Sequence, residues 1–337
     1  MLQNVKFSSW KLKVATAAAV VGAVIAGSVV ASGGAHAATL PPASPGFTLG
    51  WYAANSASFD AAVVNALPVK PRIVNYYAGW DQGFNTGFAK AAYADHVETF
   101  VEMEPWNCGN CGRASTPAMT AIAAGKYDSN LTSFGKQVRA FGHPVMVTFA
   151  HEMNAPWYPW GKGGSEHTTP AQWIAAWDHV VKVVNAAAPG LVTWIWVPNV
   201  ETGASAVTPY WPGAKYVNAV GLDGYLGAGN ITFKMMYAQT LTHIKTVTSL
   251  PVWIAETGLN QDATTGPRLA AYIAAAHAAG ITGMLYFNQG AYALTPSQKR
   301  NMATAIANIR PAVKAPAKHH KTAPAKHHKA PVKKIHR

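Results

Sequence analysis

Pro144-Val145-Met146-Val147-Thr148-Phe149-Ala150, followed without a break by His151-Glu152-Met153-Asn154, is the stretch on which the fold turns. Its first seven residues are apolar or β-branched throughout, with no alternation of polar and apolar positions. A strand buried on both faces reads this way, and such strands belong to parallel sheets covered by helices. The polar group arrives only at the C-terminal end of the run. Comparable runs recur at 47–52, 72–77, 97–103, 191–197, 216–222, 252–256 and 281–287. Longer amphipathic stretches separate them, the clearest at 59–67, 130–141, 170–188, 233–247, 267–279 and 296–309. Ser129, Thr169-Pro170 and Thr295-Pro296 are start signals for three of these helices, and Gly142, Gly190 and Gly280 are stop signals. Eight strand–helix units predict an α/β fold, a (β/α)₈ TIM barrel. A doubly wound open sheet is the alternative, but no Gly-x-Gly-x-x-Gly follows the first strand.

The flanks of this region are of another kind. Residues 1–37 hold Lys6, Lys11 and Lys13, then an Ala/Val-rich apolar run, then Ala35-His36-Ala37. Basic start, apolar middle and small-x-small site predict a cleaved signal peptide, with an uncleaved anchor as the alternative. Residues 312–337 repeat Ala-Pro-Ala-Lys-His-His-Lys and carry too little apolar surface to offset ordering entropy, which predicts a disordered basic tail. The chain's 27 Lys and Arg include eight in that tail and three in the leader, leaving 16 against 14 acidic residues in 38–311. The formal charge of +13 therefore belongs to the ends, and a nucleic-acid-binding core is a poor reading. Cys108 and Cys111 are the only cysteines, too few for a zinc centre, and outside the cell they predict a small-loop disulfide.

A barrel places its chemistry at the C-terminal ends of its strands. Polar residues gather there: Glu102-Met103-Glu104 after the third run, His151-Glu152 after the fourth, Asn199 after the fifth, Asp223-Gly224-Tyr225 after the sixth, Glu256 after the seventh. Two glutamates on separate strand ends suit glycosidic cleavage, where one carboxyl protonates the leaving oxygen and the other attacks the sugar. Structural ion pairs are the plainer alternative for Glu152 and Glu256, although Lys and Arg are sparse nearby. Trp80, Trp106, Trp157, Trp160, Trp194, Trp196, Trp211 and Trp253 lie at or near strand ends, and flat aromatic faces suit sugar rings. Of these, loop-borne Trp157 and Trp160 are the stronger platforms, while one of Trp194 and Trp196 could fill the barrel. His151-Glu152-Met153-Asn154-Ala155 lacks the second His of the zinc-protease helix, and no Gly-x-Ser-x-Gly occurs.

The segment from Phe149 to Trp160, with Gly125-Lys126-Tyr127-Asp128, Trp196-Val197-Pro198-Asn199, Gly221-Leu222-Asp223-Gly224-Tyr225 and Ala255-Glu256-Thr257-Gly258, resembles glycoside hydrolase family 26. That family holds β-1,4-mannanases, mixed-linkage β-glucanases and β-1,3-xylanases. The resemblance implies a two-glutamate retaining mechanism with Glu152 as acid/base and Glu256 as nucleophile. It also implies sugar contacts by His151 and Trp157 and a hydrogen bond from Tyr225 to the nucleophile. Asn199, Asp223, Glu104, Trp160 and Trp80 are further substrate-binding candidates. Thr148 stands where mannanases often carry Arg, and Ala155 where Gly is usual, which bears on the identity of the −1 sugar.

The expectation is a secreted endo-β-glycanase, mannan first, with mixed-linkage glucan and β-1,3-xylan as alternatives and its carboxyls about 5–5.5 Å apart. It needs no cofactor and no metal, and is a monomer. Its partner is the polysaccharide, and the basic tail is a candidate for docking on an anionic cell-wall polymer. A glycan-binding or cell-surface interaction protein is the rival.

Overall fold

The computed structural model describes residues 47–52, 58–106, 117–227 and 229–309. The expected signal peptide (1–37), the Cys108–Cys111 pair and the basic tail (312–337) lie outside the described residues. Everything below concerns the described residues of His36–Arg337.

Eight parallel strands close into a barrel in chain order. They are β1 (Thr48–Tyr52), β2 (Ile73–Gly79), β3 (Glu98–Glu104), β4 (Val145–Phe149), β5 (Val192–Trp196), β6 (Ala219–Asp223), β7 (Val252–Thr257) and β8 (Gly283–Tyr286). Closure is made by β1 against β8, with Thr48 opposite Gly283. The helices are α1 (Ala61–Asn65), α2 (Thr86–Ala94), α3 (Met119–Ala123), α4 (Asp128–Phe141), α5 (Pro170–Ala187), α6 (Phe233–Val247), α7 (Thr265–Ala278) and α8 (Pro296–Ala307). Thr169 and Thr295 each complete a capping box, with Gln172 and Gln298, ahead of Pro in the first turn. Gly142 ends α4 in the left-handed conformation, φ 83°.

Two expectations need correction. The repeat is not regular: two helices join β3 to β4, whereas among the described residues β5 and β6 are joined only by a short 3-10 turn, Thr208–Tyr210. Pro198, Gly203, Pro209, Pro212 and Gly213 break any helix in that connection. Ser129 does not start α4, which begins one residue earlier, so that Asp128 occupies the first turn and bonds His179 at 2.6 Å.

Each strand sends alternate side chains to the bore and to the helices. Tyr52, Ile73, Phe100, Met146, Ile195, Val197, Ala219, Trp253, Ala255 and Leu285 form an inner apolar cluster, distinct from the larger one under the helices. Gly221 belongs to the crowded interior, because a Cβ there would lie 2.7 Å from that of Ala255. Trp194 and Trp196 both face outward, against Trp177 and Trp211, so neither fills the barrel.

Candidate active site

The end of β4 is bent by its backbone. Ala150 and Glu152 sit in the left-handed region, φ 47° and 51°, on either side of His151. Neither is glycine, and each such residue costs about 1–2 kcal/mol. Neighbours hold the bend: Ala150 N donates to Met103 O (2.9 Å) and Glu152 N to Val197 O (2.8 Å). Two indoles cap the carbonyls between them, Trp173 Nε1 on Ala150 O (3.1 Å) and Trp160 Nε1 on His151 O (2.8 Å). The bend turns consecutive side chains, His151 and Glu152, into one pit.

Glu256 reaches the same pit by another irregularity. In the ladder between β6 and β7 Leu222 faces Ile254 but Asp223 faces Glu256, a one-residue bulge. The β7–β8 ladder slips over the same residues. A one-residue slip reverses the face a side chain points to, so Glu256 can join Ala255 on the inner side.

Within the pit Glu152 accepts from Asn199 Nδ2 (2.6 Å) and from Trp157 Nε1, whose ring is 41% exposed. Asn154 in turn fixes Asn199, donating to its carbonyl and accepting from its N–H at 2.8 and 2.9 Å. Glu256 accepts from Tyr77 Oη on Oε1 (2.7 Å) and from Tyr225 Oη on Oε2. Beneath both lies His151, 1% exposed. Its Nδ1 is 3.0 Å from Glu102, 3.5 Å from Asp223 and 3.7 Å from Glu256, and its Nε2 is 3.5 Å from Glu104. Asn75 donates to the other oxygen of Glu102, and Trp106 Nε1 to Glu104 (2.9 Å).

Burial alone would strip the His151 proton, but Tyr158, Asp223, Glu102 and Glu104 reverse this and hold the ring charged well above its usual range. Burial drives the Tyr158 phenol well above its own ordinary value, so in the neutral range the carboxylates do the holding. Burial also raises Glu102 and Glu152 moderately and Asp223 and Glu256 strongly. For Asp223 the charge of Glu256 adds to burial, and for Glu256 that of Glu102 does, while His151 opposes the rise in every case. Several carboxyls around one imidazolium cannot all be ionised out of water, so the pit retains protons. The two glutamates nevertheless differ. Glu256 has the cation at 3.7 Å. Among the described residues no Lys, Arg or His nitrogen lies within ion-pair distance of Glu152.

Glu102, His151, Asp223 and Glu256 bring one nitrogen and three oxygens within 4.8 Å of one another, close enough for an ion to bridge. Without an ion the same four groups face one another directly, His151 Nδ1 lying 3.0, 3.5 and 3.7 Å from Glu102, Asp223 and Glu256.

Of the residues expected at the site, Glu152, Glu256, His151, Trp157, Tyr225, Asn199, Asp223 and Glu104 converge here. Asp223 is wholly buried, so it acts on the cluster and not on a ligand. Trp160 and Trp80 are corrections. Trp160 is also wholly buried, stacked on Tyr158 at 4.5 Å, and serves as a support rather than a sugar platform. Trp80 packs under the helix layer against Tyr127 and Phe149. Tyr77, Glu102, Asn75, Asn154 and Tyr158 were not among the expected site residues. The signal for three of them was a polar residue at every second position of an apolar run: Asn75 and Tyr77 in β2, Glu102 before Glu104 in β3.

Residues 124–261 match the model of glycosyl hydrolase family 26. Endoglucanase H of Acetivibrio thermocellus is 30% identical over 159 residues, 45% of this chain and 17% of that protein. The mannan endo-1,4-beta-mannosidase of Bacillus subtilis is 33% identical over 87 residues, 25% of this chain and 24% of its own length. The chain thus spans less than a quarter of these curated relatives. The solved Bacillus subtilis mannanase man26 shares the fold, with a TM-score of 0.58 at 16% identity over 78% of this chain and 83% of that one.

Proposed function

We propose, from the match of residues 124–261 to the model of glycosyl hydrolase family 26, that this chain is a secreted retaining glycosidase acting within β-linked polysaccharides, mannan first. The observation that carries the assignment of roles is the unequal company of the two glutamates. Glu256 has the imidazole of His151 at 3.7 Å and phenol donors on both oxygens, partners that favour its ionised form against the burial and the Glu102 charge that raise its pKa. Burial raises the Glu152 pKa against the charge of His151 and the donors Trp157 and Asn199, and among the described residues no cation lies within ion-pair distance of it, which suits a group that gives up and regains a proton.

In this reading a Glu256 oxygen bonds to the anomeric carbon as the bond from that carbon to the aglycone oxygen breaks. The Glu152 proton passes to the departing oxygen. Glu152, now ionised, takes a proton from the incoming water, which displaces Glu256 and leaves the configuration retained. Trp157, exposed beside Glu152, offers its ring face to a sugar next to the cleaved bond.

Mixed-linkage β-glucan is the second reading, because the alignment to the endoglucanase runs over 159 residues and that to the Bacillus mannosidase over 87. Product analysis on mannan, glucomannan, lichenan and β-1,3-xylan separates the two, and NMR of the first-formed anomer tests retention. No sugar release from any of the four, or an inverted first product, sinks the proposal. The tail, 312–337, is proposed to dock on anionic wall polymer, and wall retention unchanged by its deletion rejects that.

A further inference from the structure

We propose that Tyr77 is a catalytic residue that acts on Glu256 from the side opposite Tyr225, so that the nucleophile works from a clamp of two phenols. The inference deepens the glycosidase reading and rests on it for the word catalytic, while the clamp itself stands on geometry. Glu256 sits at a bulge, where strand pairing no longer dictates side-chain direction. Something else must aim it. Tyr77, at the end of β2, donates to Oε1 at 2.7 Å, and Tyr225, beyond β6, donates to Oε2. The two come from strands far apart in barrel order, so their pull fixes both the position and the twist of the carboxyl plane.

The Tyr77 ring is itself held. It lies 5.7 Å from Tyr52 and 6.0 Å from His151, and Tyr52 stacks on Phe287 at 4.6 Å. A phenol at a strand end, half-buried, could direct its hydroxyl to water. This one is turned inward, onto a buried carboxyl.

Two neutral donors also answer the electrostatic problem of the pit. A second cation here would bind the anion tightly and blunt its attack. Phenols whose own protons are held firmly by burial stabilise the charge by hydrogen bonding without adding charge. When one carboxyl oxygen becomes the ester oxygen of the glycosyl-enzyme, it is a poorer acceptor than before. One hydroxyl of the clamp then loosens while the other stays on the carbonyl oxygen. Tyr77 and Tyr225 are therefore expected to weigh differently on formation and hydrolysis of the intermediate.

The test compares the full chain with Tyr77→Phe and Tyr225→Phe. Removing a donor from the charged form raises the carboxyl pKa. The Glu256 carboxyl carbon, followed by ¹³C NMR and identified by its loss in Glu256→Gln, should titrate roughly one pH unit higher in Tyr77→Phe. On whichever polysaccharide the wild type cleaves, kcat/KM should fall roughly tenfold to a hundredfold with little change in KM. Its acidic limb should move to higher pH, while the melting temperature stays close to that of the wild type because the ring is kept. An unshifted Glu256 titration overturns the clamp whether or not the protein hydrolyses anything. A shifted titration with an unchanged pH–rate profile overturns the catalytic role. A wild type inactive on every polysaccharide overturns the glycosidase reading, and with it the catalytic role, but leaves the clamp to be judged by the titration.

Discussion

The two ends of the barrel bore are built from the same strands and could hardly be less alike. The lower end is filled by Ile73, Phe100, Met146, Ile195, Ala219, Trp253 and Leu285, an apolar plug in which Phe100 meets Trp253 edge-on at 5.5 Å. Two to four residues further along the same strands come Asn75, Tyr77, Glu102, Glu104, Asp223 and Glu256, gathered round His151. The plug stabilises the fold by burying apolar area. The polar end does the reverse: it buries carboxyls whose burial is unfavourable, keeps left-handed Ala150 and Glu152, and among the described residues gives the Asp223 carboxyl only His151 Nδ1, at 3.5 Å. Strain concentrated at one end and tolerated by the other is the usual division between function and stability.

The contrast can be broken from either end. The largest effect is expected from Glu256→Ala, which should abolish turnover, by more than about four orders of magnitude, without lowering the melting temperature. Added azide should restore release as a glycosyl azide of inverted configuration, and full residual activity removes Glu256 from its role. Glu152→Gln comes next, slowing substrates with poor leaving groups by roughly 10²–10⁴ and those with good leaving groups far less. Equal losses on the two classes would argue against a proton donor. At the lower end Phe100→Ala should cost about 3–5 kcal/mol of stability, seen in denaturant unfolding, and leave the pH–rate profile where it was. A moved profile there would mean that the two ends are not separable.

The smallest effect concerns Asp223, whose carboxyl burial and then Glu256 hold well above its ordinary value. Between the ordinary value and the raised one, the folded chain keeps a proton that the unfolded chain has lost. Stability therefore falls as pH rises through that window. Asp223→Asn removes this dependence, so its melting temperature should exceed that of the wild type by a few °C near pH 7 and converge with it below about pH 4. Parallel melting curves across the pH range would show Asp223 ionised in the fold.

Much of the barrel was legible one strand at a time. Near-continuous apolar runs such as 144–150 announce a sheet covered on both faces, and the polar residues just beyond them mark the active rim. Glu152, Glu256 and His151 could be singled out because each follows such a run. Trp80 and Trp160 could not be sorted from Trp157 in the same way, since a tryptophan at a strand end reads alike whether it stacks under a loop or faces the groove. Tyr77 was passed over because it lies within a run, where one polar residue looks like an imperfection in a strand, and Glu102, although read at the rim, could not be joined to His151 by spacing alone.

Sequence by itself determined the strand and helix periodicities, the charge-poor interior and the rim position of the glutamates, because these depend on spacing along the chain. Only tertiary structure decided which groups meet. The His151 charge cluster and the two-phenol grip on Glu256 join residues from strands on different sides of the barrel. They exist only once the barrel closes and a bulge in β7 and a left-handed bend after β4 turn the side chains inward. Neither irregularity leaves a mark in local pattern, because Ala255-Glu256 and Ala150-His151-Glu152 are ordinary residues held in unusual conformations by their neighbours.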